Sequence, residues 1–410
     1  MRLIVLTHYF PPEVGAPQAR LFELARRLVA GGVRVTVVTG FPNYPTGVVA
    51  KGYRGRFAMR EQMDGVNVLR TWVFATPNKG FAKRLLNHVS FALSSLTALR
   101  RSGPADVIFV ESPPLAMGLA VFAYSWIKRA PFVFNVSDIW PQSAIEMGAL
   151  SNRAAIWVAE RFERSLYRHA RRISVVTPGI VEKLAARGVP REKLFLLTNA
   201  VDTDLFRPAG PDSDLARRLG VEGRKVFLYA GTHGLAQGLD VVLAAAKLTH
   251  DPDILYLLAG EGADKERLQA QARTESIPNV MFLPNQPRDV MPRLLNLAYA
   301  TVIPLRRLDI FKAALPSKMF ESMASELPIV LAVWGEAARL VEEAGCGVVV
   351  EPEDAAAMAR AVEGLAGDPA LAKQLGASGR RYAIENFDRT RVARRFLELV
   401  QQVADARGGG

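Results

Sequence analysis

The sequence predicts an α/β protein of two doubly wound domains, each a parallel sheet with helices on both faces. Three observations carry this expectation. Short apolar runs alternate with amphipathic helical stretches along almost the whole chain. Those runs are continuously apolar rather than alternating in polarity, as strands covered on both faces must be. The length, 410 residues, exceeds one ordinary core but suits two of roughly 200 each.

Taken in order, RLIVLT at 2–7 is the first buried strand, an apolar run too short for a signal peptide. VRVTVVT, DVIFV, FVFNV and RISVV follow as strands of the first half. KVFLYA, ILYLLAG, VMFL, ATVIP, LPIVLAV and GVVV belong to the second. Helical periodicity fills intervals between them at 17–30, 153–169, 262–275 and 353–365. The junction TNAVDTDLFRP carries turn formers and a proline, as a hinge should, and separates domains at 1–199 and 200–386. Helical stretches at 370–386 and 389–404 have no strand after them. The segment 387–410 is expected to return to the first domain and end in a disordered tail at Gly408–Gly410.

The formal net charge of +12 is unevenly held. Residues 1–199 carry 27 Lys and Arg against 12 Asp and Glu, whereas residues 200–410 carry 25 against 28. A first half at +15 suits nucleic acid, an anionic membrane or a phosphate-bearing substrate. No helix-turn-helix or stacking-aromatic motif accompanies it, which disfavours nucleic acid. The single cysteine, Cys346, excludes an internal disulfide and fits a reducing compartment. Uncharged stretches at 85–99 and 112–127 fall short of the ~20 residues that cross a bilayer. The first, bracketed by Lys83–Arg84 and Arg100–Arg101, suits an interfacial helix that touches lipid.

Three strand–turn–helix junctions carry glycine. In HYFPPEVGAPQARL, Gly15 opens the turn and Pro17 suits the first helical position. FLYAGTHGLAQGLD places Gly231, Gly234 and Gly238 after a strand, and LLAGEGADKERL does the same with Gly260 and Gly262. Glycine at such a junction lets a phosphate approach the helix amides, although any one of them reads equally as an ordinary loop residue. No GK[ST] follows the second-half glycine loops, which disfavours a P-loop hydrolase. In FKAALPSKMFESMASELPIV, Pro316 ends a loop, Ser317 is the expected N-cap, and Lys318 falls in the first helical turn. Glu321, one turn in, is placed either to accept two hydroxyl hydrogen bonds from a ribose diol or to stabilise the helix dipole.

Together these segments resemble the retaining glycosyltransferases of family 4. That family has the GT-B fold, two doubly wound Rossmann-like domains whose parallel sheets face each other across a cleft. The resemblance covers nearly the whole chain in order: YFPPEVGAP with ELARRLVAGGVRVTVVT, the hinge TNAVDTDLF, the glycine turns at 231–240 and 259–262, and PSKMFESMASELPIV. GFPNYPTG at 40–47 and SDIWPQS at 137–143 look like the bacterial branch that builds O-antigen, capsule or colanic-acid-type polysaccharides, fucosamine transferases included. The resemblance implies a metal-independent, retaining hexosyltransferase with no cofactor beyond its nucleotide-sugar donor. The branch favours UDP with an N-acetylated amino sugar and leaves GDP-fucose open. The implied acceptor is a polyprenyl-diphosphate-linked sugar. The implied location is cytoplasmic, peripheral on the inner face of the cytoplasmic membrane, with the basic first domain on anionic lipid.

Carried over residue by residue, the resemblance makes Glu321 the ribose ligand and brings Gly15 to the donor diphosphate. Gly231, Thr232, His233 and Gly234 form the diphosphate loop, while Gly260, Glu261 and the turn at Pro284 lie at the nucleobase. Three positions depart from the family. Ala313 stands where a second glutamate is usual, the loop 232–237 lacks the usual Arg and Lys, and Ser137 with Asp138 replaces a common histidine. A departing nucleoside diphosphate still needs its charge met. Lys312 and Lys318 are expected to meet it, with His233 and loop amides assisting; Arg306 and Arg307 are nearby cations that read equally as surface charge. Asp138, beside Trp140 and Pro141, either orients or deprotonates the acceptor hydroxyl or caps the next turn. Asp-x-Asp spacing occurs at 202/204, 212/214 and 251/253, in a hinge, a helix start and a proline turn, so no metal is expected. Two rivals stay open: a sugar-nucleotide 2-epimerase of the same fold, and a family member that binds sugar nucleotide without turnover.

Overall fold

The computed structural model describes residues 1–13, 16–44, 46–76, 81–146, 148, 150–210, 212–287 and 289–405. Gly15 and the tail Gly408–Gly410 lie outside the described residues. The chain forms two compact units, Met1–Asn199 together with the chain from Arg389 onward, and Ala200–Asp388.

The strands of the first unit are β1 (Arg2–Leu6), β2 (Arg34–Gly40), β3 (Ala58–Met63), β4 (Val66–Thr71), β5 (Val107–Ser112), β6 (Phe132–Val136), β7 (Arg172–Val175) and β8 (Leu194–Leu196). They form one sheet in the order β3-β4-β2-β1-β5-β6-β7-β8. Every pair is parallel except β3 with β4. The helices are α1 (Ala16–Ala30), α2 (Phe81–Ser95), α3 (Met117–Lys128), α4 (Gln142–Glu146), α5 (Arg153–His169) and α6 (Pro178–Ala186). β5 and β6 are buried at every residue, as continuous apolar runs require.

Three strands add to those read from the sequence. β3, AMREQM, is an edge strand with Arg60, Glu61 and Gln62 at its centre, so it shows no apolar run. β4 carries Arg70, wholly buried, which binds Glu61 at 2.5 Å and donates to the Gly40 carbonyl at 3.2 Å. β8 has three residues, too few to show a pattern.

The second unit contains α7 (Ser213–Leu219), β9 (Lys225–Ala230), α8 (Asp240–Leu248), β10 (Ile254–Ala259), α9 (Lys265–Thr274), β11 (Val280–Leu283) and α10 (Met291–Leu297). It continues with β12 (Ala300–Pro304), α11 (Ser317–Ala324), β13 (Ile329–Ala332), α12 (Glu336–Ala344), β14 (Gly347–Val349), α13 (Ala355–Gly367) and α14 (Pro369–Asn386). Its wholly parallel sheet has the order β11-β10-β9-β12-β13-β14. The order turns back between β9 and β12, and such a switch point leaves a crevice at the carboxyl ends of the strands. The last helix, α15 (Arg389–Asp405), belongs to the first unit. There Phe396 meets Phe109 of β5 at 4.8 Å between ring centres, and Arg389 pairs with Glu23 of α1 at 3.0 Å. Among the described residues no helix is long and apolar enough to cross a membrane.

Candidate active site

In the second unit the turns after β9 and β10 are laced together. Gly231 and Gly260 adopt φ of +150° and +151°, which side-chain-bearing residues rarely do. The Gly231 N–H donates to the Ala259 carbonyl, the His233 N–H to that of Glu261, and the Asp264 N–H to that of His233, each at 2.9 Å. A Cβ at Gly260 would overlap the Gly231 carbonyl oxygen, and one at Gly262 the His233 carbonyl. Only bare backbone fits here.

Lys265 ties this edge together, donating to the Gly260 carbonyl at 2.8 Å, the Leu283 carbonyl at 3.0 Å and the Glu261 carboxylate at 2.7 Å. Its ammonium, with an N–H from Asn285, holds the Glu261 carboxyl below the usual range. Glu261 and the exposed Pro284 therefore share one corner. Sequence reasoning passed over Lys265; the Glu261–Lys265 spacing of four was the available signal.

His233 is placed differently from Thr232 and Gly234. Its side chain is fully buried, both ring nitrogens lack a hydrogen-bond partner, and its backbone N–H is already used. Burial, with Lys265 nearby, lowers the imidazole to about 4, so it stays neutral. Thr232 is exposed, and Tyr229 donates its hydroxyl to the Thr232 carbonyl at 2.6 Å.

The loop after β12 closes on the loop after β9 at the switch point, where the Arg306 N–H donates to the Ala236 carbonyl at 2.9 Å. Three of the four cations flagged near this loop have acidic partners. Arg306 binds Asp240 at 2.6 Å and Glu353 at 3.2 Å, Arg307 lies 4.0 Å from Glu351, and Lys312 pairs with Asp309 at 2.7 Å. Lys318 instead rests with Nζ 3.8 Å from the centre of the Tyr229 ring. A Cβ at Gly231 would come within 2.9 Å of that nitrogen. Burial draws the ammonium down to about 7, and the charge of half-buried Glu321, one turn along α11, pulls the other way.

The expectation of Ser317 as N-cap is corrected. Pro316, extended at φ −57° and ψ 126°, takes the flanking position, Ser317 is the first helical residue, and no side chain caps the helix. The first turn thus offers amide N–H groups and the positive end of the helix dipole beside Lys318. An anion with several oxygens, next to a group with two hydroxyls for Glu321, matches this arrangement chemically.

In the first unit, Asp138 follows β6, half-buried, and burial raises its carboxyl. Ser137 before it joins a buried network that sequence reasoning missed. Arg20 donates to Glu111 at 2.7 Å and to the Ser137 hydroxyl at 3.0 Å, while Asn135 donates to Glu111 at 2.9 Å and accepts from Ser174 at 2.6 Å. Elsewhere in this unit Glu13 holds backbone with its carboxylate, accepting the N–H groups of Asn43 at 2.8 Å and Tyr44 at 2.9 Å. Among the described residues no group of three or more His, Cys, Asp or Glu is placed to hold a metal ion.

Residues 15–200 match the family model of a glycosyl transferase 4-like domain, and residues 213–382 that of glycosyl transferases group 1. A putative colanic acid biosynthesis glycosyl transferase, WcaI of Escherichia coli strain K12, is 27% identical over 413 residues, covering 98% of this chain and 100% of the relative. Sucrose-phosphate synthase from Thermosynechococcus elongatus superposes with a TM-score of 0.78 at 18% identity over 99% of each chain. Anabaena Alr3699/HepE in complex with UDP-glucose superposes with a TM-score of 0.74 at 17% identity, over 98% of this chain and 100% of that one.

Proposed function

The two domains belong to the glycosyl transferase 4-like and group 1 families, which makes the chain a GT-B glycosyltransferase, and from that premise we propose its reaction. It transfers a hexosyl group from a nucleoside-diphosphate sugar, with retention, to a lipid-linked glycan in bacterial surface polysaccharide synthesis. The relative named for colanic acid biosynthesis supports the polysaccharide, and the neighbour solved with UDP-glucose supports a UDP-sugar donor.

One observation carries the reading. Lys318, packed against Tyr229 and Gly231 at the uncapped start of α11, supplies a cation beside the first helical turn at the switch point, with Glu321 a turn away. In this role the diphosphate lies on Gly231, Thr232, Gly234 and α11, the ribose on Glu321, and the base against Gly260, Glu261 and Pro284. Lys318, and Lys312 on release from Asp309, offset the charge of the leaving diphosphate without a metal. In a retaining transfer the leaving phosphate oxygen takes the acceptor proton on the same face. Asp138 then has only to orient the acceptor hydroxyl.

A thermal-shift panel of UDP-, GDP-, ADP- and dTDP-sugars identifies the donor, with a UDP-sugar expected to stabilise most. Donor turnover on a polyprenyl-diphosphate sugar should then be present in wild type and collapse in Glu321→Ala. Product epimerised at C2 with no acceptor present, or binding without turnover, would refute transfer.

A further inference from the structure

The first unit has an apolar surface that the donor chemistry does not use. Over its sheet α2 packs on α3, and Phe122 of α3 meets Phe162 of α5 with ring centres 6.2 Å apart, so the three helices lie side by side. The outward face of such helices is ordinarily polar. On α3 it is apolar: Leu119 is 47% exposed, Trp126 82% and Ile127 53%, and no charge appears in the helix before Lys128. On α2, Leu86 and Leu93 lie seven residues apart and are half exposed. On α5, Trp157 and Val158 are exposed to a similar degree.

Positive charge frames this patch. Exposed Lys83 lies one turn before Leu86, and exposed Arg100 lies in the turn beyond the end of α2. Arg161, Arg164 and Arg168 follow Trp157 at i+4, i+7 and i+11, and the Arg161 guanidinium lies 5.9 Å from the Trp157 ring centre. Only α5 among the three helices has acidic residues, Glu160 and Glu163, and Glu163 is buried against Arg187.

We propose that this face of α2, α3 and α5 docks on an anionic lipid bilayer, with Leu93, Leu119 and Trp126 entering the boundary between headgroups and acyl chains. Tryptophan favours that boundary, where one part of its ring system is dry and its N–H is wet. Exposed leucines supply burial, and the arginines meet lipid phosphates. A second copy of this chain is the poorer occupant, because a symmetric contact would set the same basic rim against itself. The inference deepens the lipid-linked acceptor of the proposed function. Vesicle binding needs neither donor nor transfer, so the two readings can fail separately.

The test is cosedimentation of the full chain, without sugar nucleotide, with vesicles of phosphatidylcholine alone or with about 30% phosphatidylglycerol. Binding is expected on the anionic vesicles only, weakening with salt. The variant Leu93→Ser/Leu119→Ser/Trp126→Ser should bind at least about tenfold more weakly while melting as wild type does. Lipid brominated in the acyl chain should quench wild-type tryptophan fluorescence, and Trp126→Phe should still bind with part of that quenching gone. Equal binding to both vesicles, binding to neither, or unchanged quenching in Trp126→Phe would overturn the proposal. So would a lipid-free dimer that the triple variant converts to monomer.

Discussion

The Lys318 ammonium lies over the face of Tyr229, 3.8 Å from the ring centre, and the Tyr229 hydroxyl is bound in turn to the Thr232 carbonyl. The ring thus joins the start of α11 to the glycine turn after β9. Burial has lowered this lysine to about 7, so near neutral pH its charge is readily gained or lost. A diphosphate on the site favours the charged form. UDP binding is expected to take up a proton at and above about pH 7, and to weaken as pH rises further. Calorimetry in buffers of different ionisation enthalpy measures the uptake. Lys318→Met should abolish both effects, and a pH-independent wild-type affinity would remove Lys318 from the phosphate site.

The same lysine sets a trend in stability without ligand. Its folded pKa lies below the unfolded value, so between about 7 and the usual lysine range the unfolded chain holds a proton that the folded chain has released. Stability should rise with pH across that window. Urea denaturation of wild type and Lys318→Met at several pH values checks this, the variant lacking this part of the slope.

Glu321 is assigned to ribose hydroxyls, and a truncated ligand isolates that role. Hydrogen bonds to a charged acceptor contribute about 1.5–3 kcal/mol, so Glu321→Ala should weaken UDP binding roughly 10- to 100-fold. Wild type should prefer UDP over 2′-deoxy-UDP, and the variant should not distinguish them. If the variant keeps the preference, the carboxylate serves α11 alone.

Two glycines make a matched pair. Gly260 has φ +151°, and a Cβ there would overlap the Gly231 carbonyl oxygen; Gly364, inside α13, has nothing within 4 Å. Gly260→Ala should cost at least about 1–3 kcal/mol and impair UDP binding. Gly364→Ala should stabilise by about 0.5–1 kcal/mol and leave UDP binding unchanged. Chemical denaturation and a UDP titration of each variant read both effects.

What the sequence disclosed follows from which interactions are local. Strands such as VIFVES in β5 and ILYLLA in β10 are buried at every residue, so their apolar runs announced a doubly wound sheet. The glycine turns and the segment around Lys318 were legible because each is a contiguous strand–turn–helix junction. β3 and β4 were not, since their polar residues are matched across the hairpin, as with Arg70 and Glu61. Nor did the sequence show that Arg306 and Lys312 are ion-paired whereas Lys318 lies on a ring. That difference depends on how the end of β9, the start of α8 and the turn after β12 bring Tyr229, Asp240 and Asp309 to these cations, which pattern alone does not position. Ser317 has the right composition for an N-cap, but backbone geometry gives that place to Pro316.

The network around Arg20 and Glu111 was equally hidden, because sheet order alone brings α1, β5, β6 and β7 together at one edge. The pair is 2.7 Å apart with side chains only 6% and 5% exposed. Removing either partner leaves the other buried, but the two losses differ in kind. Glu111→Ala leaves a buried guanidinium without its carboxylate and should cost about 3–5 kcal/mol at any pH where the protein folds. Glu111 can be neutralised, and burial already raises its carboxyl against the pull of Arg20, Ser137 and Asn135. Without Arg20 its folded pKa should lie further above the unfolded value. The stability of Arg20→Met should therefore be greatest in mild acid and fall as pH rises through that folded pKa. Urea denaturation of both variants across pH reads the contrast, and UDP affinity, assigned to the second unit, should be retained in each. Equal costs with the same pH dependence would mean that the pair acts through packing and not through charge.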